Sequence, residues 1–101
     1  DSVLKIALSQ EIKSPVMLND LGVVYYGKEE WQKARVFFKL SIKQDPGFSE
    51  AYYNLALTEL KLGDKKEAKA AINSFLIYEK NQGWKNAGLN MLNTMEGDTQ
   101  M

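Results

Sequence analysis

Any chemistry done by this chain would fall to carboxylates, lysines and phenols, because its 101 residues include neither histidine nor cysteine. Histidine is the side chain whose ordinary pKa sits near neutrality, so general acid–base catalysis lacks its usual agent. Without cysteine there is no thiolate nucleophile and no disulfide, and without histidine no imidazole metal ligand. The acidic residues are scattered, with no paired spacing and no metal-ligand cluster. No catalytic residue, no metal site and no cofactor is therefore expected, and an enzyme is not expected either. Glu29-Glu30 precedes an apolar run, where negative charge favours a helix N-terminus. Lys61, Lys65, Lys66 and Lys69 form the one basic cluster; interleaved with Asp64 and Glu67, they read as a solvated helix start rather than a nucleic-acid patch. The glycines build no phosphate-cradling loop.

That leaves binding by apolar, aromatic and amide side chains. Lys plus Arg and Asp plus Glu each number 13, so a neutral chain offers nucleic acid or anionic lipid no general attraction. Apolar runs such as Val23-Val24-Tyr25-Tyr26 are too short to insert into a membrane. The chain opens on Asp rather than Met, which reads as processing or excision from something longer. No feature assigns a compartment.

The elements that would position binding residues recur. Leu21-Gly22 returns as Leu55-Ala56, Ala34 as Ala68, Phe38 as Ile72 and Ile42 as Leu76, each 34 residues on. A small residue is needed where two antiparallel helices cross closely, which Gly22 and Ala34 supply once and Ala56 and Ala68 again. Local signals set the helix ends. Residues 1–13 read as one helix. Ser14 caps the next, with Pro15 in its first turn, running to about Tyr26 and ended by Gly27. A third spans roughly 30–44 and stops before Pro46-Gly47. Ser49 opens a fourth, which ends near Leu62-Gly63. Asp64 with Glu67 is a capping-box-like start for a fifth segment through about Glu79. Asn81-Gln82-Gly83 breaks the chain before a last helix over 84–95, and the tail 96–101 is expected to fray.

The order Leu18-x2-Leu21-Gly22-x2-Tyr25, Ala34-x3-Phe38 and Pro46 resembles the tetratricopeptide repeat, with Leu in place of the leading Trp. The resemblance implies an all-α fold, a right-handed α-α superhelix of tetratricopeptide-like helical hairpins with about five helices. Residues 1–14 would be the second helix of a partial repeat, 15–48 and 49–82 two repeats, 83–95 a capping helix and 96–101 a frayed tail. On the last helix Trp84, Ala87, Gly88, Met91, Leu92 and Met95 share one face, and Asn86, Asn90 and Asn93 the opposite one, the division a solenoid cap needs. The second copy departs from the family pattern at Glu59, Phe75 and Lys80, where the first has Tyr25, Ser41 and Pro46. Phe75 implies that whatever packs beyond it sits differently from an ordinary third repeat.

In this family the first helices of the repeats line a concave, partner-binding groove. By register that groove would be lined by Val16, Asn19, Asp20, Val23 and Tyr26, then Glu50, Tyr53, Asn54, Leu57, Leu60 and Lys61, with Trp84 from the cap. Val23, Trp84 and Gly88 stand where members of a carboxylate clamp would be expected, so no such clamp is expected. The groove suits a peptide segment of a partner protein, its backbone met by Asn19 and Asn54, with apolar anchors making affinity nearly independent of salt. A second reading is a structural or assembly module. It would be a terminal piece of a larger superhelix, self-associating as a homo-oligomer through a convex or N-terminal apolar stripe of Val3, Ile6, Phe37 and Leu40.

Overall fold

The computed structural model describes residues 2–9 and 11–97. Among the described residues the secondary structure is six helices: α1 (Ser2–Leu8), α2 (Pro15–Gly27), α3 (Trp31–Gln44), α4 (Ser49–Lys61), α5 (Lys65–Tyr78) and α6 (Gln82–Gly97). Each corresponds to one of the six segments marked out by the local sequence signals, one more than the figure of about five given with the family resemblance. α2 pairs with α3 and α4 with α5 as hairpins; α3 packs on α4, α5 on α6, and α1 against α3. The stack is elongated, 44 × 27 × 18 Å. This is the all-α hairpin architecture that the 34-residue recurrence demands.

The close crossing within the first hairpin is visible at Gly22. A Cβ there would lie 2.5 Å from Cε1 and 2.6 Å from Cδ1 of Phe38, so the aromatic ring occupies the space that any other residue would fill. Leu18, Ala34, Phe37 and Phe38 are buried in this hairpin, and Ala56, Ala68 and Ile72 in the second. Ser14 caps α2 as its sequence predicts, its Oγ accepting the Met17 N–H at 3.1 Å. Asp64 does the same for α5, its Oδ1 accepting the Glu67 N–H at 3.1 Å.

Several boundaries differ from expectation. α1 ends at Leu8 rather than 13, and residues 11–14 leave helix so that Ser14 can take the extended cap conformation ahead of Pro15. Gly27 does not end α2 by a left-handed turn. That conformation falls on Glu29, φ 61°, in register with Gly63, φ 79°. Both turns close alike: Glu29 N–H donates to Tyr26 O and Glu30 N–H to Tyr25 O, as Gly63 N–H does to Leu60 O and Asp64 N–H to Glu59 O. Glu29 thus belongs to a helix end, not a helix start. α6 begins at Gln82, before the expected 84, because Asn81 Oδ1 accepts the Trp84 N–H at 3.0 Å. It also runs through Glu96 and Gly97, the first two residues of the expected tail. The rest of that tail, 98–101, lies outside the described residues.

On α6, Met95 and Gly88 are buried, and Met91 and Leu92 pack half-buried against the core. Asn86, Asn90 and Asn93 are exposed. Trp84 departs from the apolar face assigned to it, being 57% exposed. Phe75, the misfit in the repeat pattern, lies against α6, where a Cβ on Gly88 would sit 2.8 Å from its ring. In the first repeat the same position is Ser41, whose hydroxyl donates to Pro15 O at 2.7 Å.

The expected convex stripe is corrected. Phe37 is fully buried, stacked on Tyr25 with ring centroids 5.2 Å apart and planes 7° from parallel, and Leu40 is half-buried against the core. α1 lying on α3 gives those positions a neighbour. Val3 and Ile6 remain exposed.

Candidate functional site

α2, α4 and the start of α6 bring their side chains to one face, and two cavities open there in line. The larger, of about 340 Å³, is lined by Val23 from α2, by Glu50, Tyr53 and Asn54 from α4, by Phe75 and Glu79 from α5 and its cap, and by Trp84 from α6. The smaller, about 80 Å³, continues it along Val23, Tyr26, Phe38, Asn54 and Leu57. Val23 and Asn54 belong to both. An apolar wall therefore runs from Leu57 to Trp84, interrupted by one amide and two carboxylates.

Aromatic packing holds this wall. Tyr53 meets the Phe75 ring edge-on at 5.1 Å and the Trp84 ring at 6.1 Å, 76° between planes. Tyr26 meets Trp31 at 4.9 Å, also edge-on. Edge-to-face pairs at these distances fix ring orientation as well as bury area. The Tyr53 hydroxyl and the Trp84 indole N–H make no hydrogen bond among the described residues.

Asn19 plays a different part from the one its register suggests. It is fully buried, its amide Nδ2 donating to Glu50 Oε2 at 2.5 Å and its Oδ1 accepting from Asn54 Nδ2 at 3.0 Å. A buried amide must be paired, and here both ends are satisfied by α4. Asn19 thus ties α2 to α4 and aims Asn54, whose own Oδ1 makes no hydrogen bond among the described residues.

Glu79, like Phe38 and Phe75, is a lining residue that repeat register does not find, because it lies after a second helix rather than on a first one. Its Oε1 accepts the Ser49 hydroxyl at 2.8 Å, and its Oε2 accepts the backbone N–H groups of Lys80 and Asn81, each at 3.1 Å. The Asn81 N–H chiefly holds its carboxyl below the ordinary glutamate range; burial opposes, while Ser49, Lys80 and the charge of Lys85 add.

Other expected groove residues fall elsewhere. Val16 and Asp20 are exposed but line neither cavity, and Leu60 packs into the core. Lys61 places its ammonium 5.5 Å from the Trp31 ring centroid. A separate opening of about 380 Å³ beside Trp31 is lined by Glu29, Glu30, Gln32, Lys33 and Leu62. Among the described residues no group of acidic side chains is placed to hold a metal ion, and no helix is long and apolar enough to cross a membrane.

Stacked helical hairpins with a lined groove define a helical-repeat protein. Residues 37–70, one repeat length running from α3 into α5, match the family model of the tetratricopeptide repeat. The matched segment is similar to a tetratricopeptide repeat, a family whose members typically serve protein–protein interaction. It is also similar to Protein FlbA of Caulobacter vibrioides (strain ATCC 19089 / CIP 103742 / CB 15), 38% identical over 68 residues. That alignment takes in 67% of this chain and 11% of the relative, so the chain spans about a tenth of that protein's length.

Proposed function

We propose that this domain is a scaffold that binds a peptide segment of a partner protein along the groove of α2, α4 and α6. The observation that carries this reading is the juxtaposition of an exposed Val23 and Trp84 with Tyr53 and Asn54, whose hydroxyl and carbonyl are unengaged, around a 340 Å³ cavity. Side chains of an extended or helical segment would enter the two cavities, and Asn54 would meet its backbone. A groove of this length suits a transient complex, with affinity near micromolar, about 6–8 kcal/mol.

Tyr53→Ala combined with Leu57→Ala should weaken binding in a peptide-array screen by roughly tenfold or more while far-ultraviolet circular dichroism stays helical. Retained binding would remove the groove from consideration. A second reading, self-association, is favoured by the exposure of Val3, Ile6 and Leu8 on α1 together with Val16 and Met17 on α2. It calls for a concentration-dependent sedimentation coefficient, abolished by Val3→Ser with Ile6→Ser.

A further inference from the structure

Apolar anchoring leaves one property of the larger cavity unused, its charge. Glu50 and Glu79 both line it, from the first turn of α4 and from the cap of α5. Glu50 gives one oxygen to Asn19 and keeps Oε1 without a hydrogen bond. Glu79 is anchored by three hydrogen bonds, so its charge cannot swing away. Helix capping explains where Glu79 sits, and the α4 dipole favours Glu50. Neither explanation neutralises the two negative charges at a cavity walled by aromatic rings.

The neighbouring cations are committed elsewhere or stand outside. Lys61 lies over Trp31, and Lys85 acts on Glu79 as the weakest of its influences; neither lines the cavity. Two anionic carboxylates, the Asn54 carbonyl oxygen and the faces of Tyr53 and Trp84 are complementary to one kind of group, a delocalised cation with donors at its edge and a flat face for stacking. We propose that this cavity is a specificity pocket for an arginine side chain of the bound peptide. The proposal rests on the groove reading and narrows it to segments that carry a basic residue among apolar ones. Guanidinium suits the pocket better than ammonium because it is planar, weakly hydrated and able to donate to two carboxylates while stacking on a ring. The pocket also alters the salt behaviour expected from apolar anchors alone, since charge-assisted contacts at an open cavity are screened.

The test uses short leucine-rich synthetic peptides that differ at one central residue, arginine, lysine or the uncharged isostere citrulline. Binding is followed by two-dimensional NMR, with the Trp84 indole N–H as the pocket reporter. The arginine peptide should bind about tenfold tighter than the citrulline peptide. Most of that advantage should vanish between ~50 mM and ~500 mM sodium chloride. Glu50→Gln, which still offers Asn19 an acceptor, should reduce it to less than about twofold, whereas Asp20→Asn, outside the cavity, should leave it intact. Equal affinity of arginine and citrulline peptides, with groove resonances still shifting, overturns the arginine pocket and leaves the groove standing. So does an advantage that survives Glu50→Gln, or a lysine peptide that matches the arginine one. If no peptide shifts groove resonances, the groove reading fails and the pocket with it.

Discussion

At the scale of single residues, the fold turns on one missing side chain and one buried charge. Phe38 fills the space that Gly22 leaves, so Phe38→Ala should cost about 3–5 kcal/mol in urea denaturation. Gly22→Leu should cost about 1–3 kcal/mol or more, because the ring it meets is itself packed in the core. Both positions were legible in the sequence, since a glycine and an aromatic returning in register as Ala56 and Ile72 can hardly serve anything but a crossing. Glu59 was legible as a departure but not as an ion pair. It is 1% exposed and accepts from Arg35, with Nη2 at 2.6 Å and Nε at 2.8 Å. Register relates positions within repeats, whereas Arg35 belongs to α3 of the preceding one. Arg35→Ala should therefore destabilise by roughly 3 kcal/mol, leaving a charge stranded, while Arg35→Met with Glu59→Leu should recover most of that loss. A double-mutant cycle measures the coupling directly. The tie made by Asn19 was illegible for a similar reason: its hydrogen-bond partners, Glu50 and Asn54, come from the next repeat.

Among the elements, helix starts were easier to read than helix ends. Ser14 and Asp64 accept N–H groups as their types advertise, because a short polar side chain before a helix has one obvious task. The end of α2 was obscured because Gly27 is the conspicuous residue while Glu29 takes the left-handed conformation. Glu29→Gly should accordingly stabilise the domain by about 1 kcal/mol, and Gly63→Ala should destabilise it by a similar amount, both read from the urea midpoint. At the C-cap of α5, the lowered carboxyl of Glu79 gives stability that is present above the ordinary glutamate value. It is lost as pH falls through the lower, folded value. The acid limb of the unfolding profile should be shallower in Glu79→Gln than in wild type. For α6, the exposed Asn86, Asn90 and Asn93 should tolerate replacement by Ala with the domain still folded and monomeric.

The whole molecule is a stack in which each hairpin contacts its neighbours along 44 Å. Stability in such a chain is nearly a sum of unit and interface terms, so losing one end exposes the face behind it. Deleting 84–101 should uncover Phe75 and Leu76, causing aggregation or loss of the cooperative thermal transition seen by circular dichroism. The architecture was legible because a 34-residue period has few physical solutions. The cavity lining was largely legible: register placed Val23, Tyr26, Glu50, Tyr53, Asn54, Leu57 and Trp84 there, but not Phe38, Phe75 or Glu79, which lie off the first helices. The meeting of Phe75 with Gly88 also bears on how such a chain can grow by gene duplication. Counting in thirty-fours puts Asn54 at the place of Gly88, so a second copy of 49–82 spliced in tandem would drive a side chain into the Phe75 ring. The second repeat and α6 are then a single heritable cassette, and recombination that separates them should yield chains that cannot close.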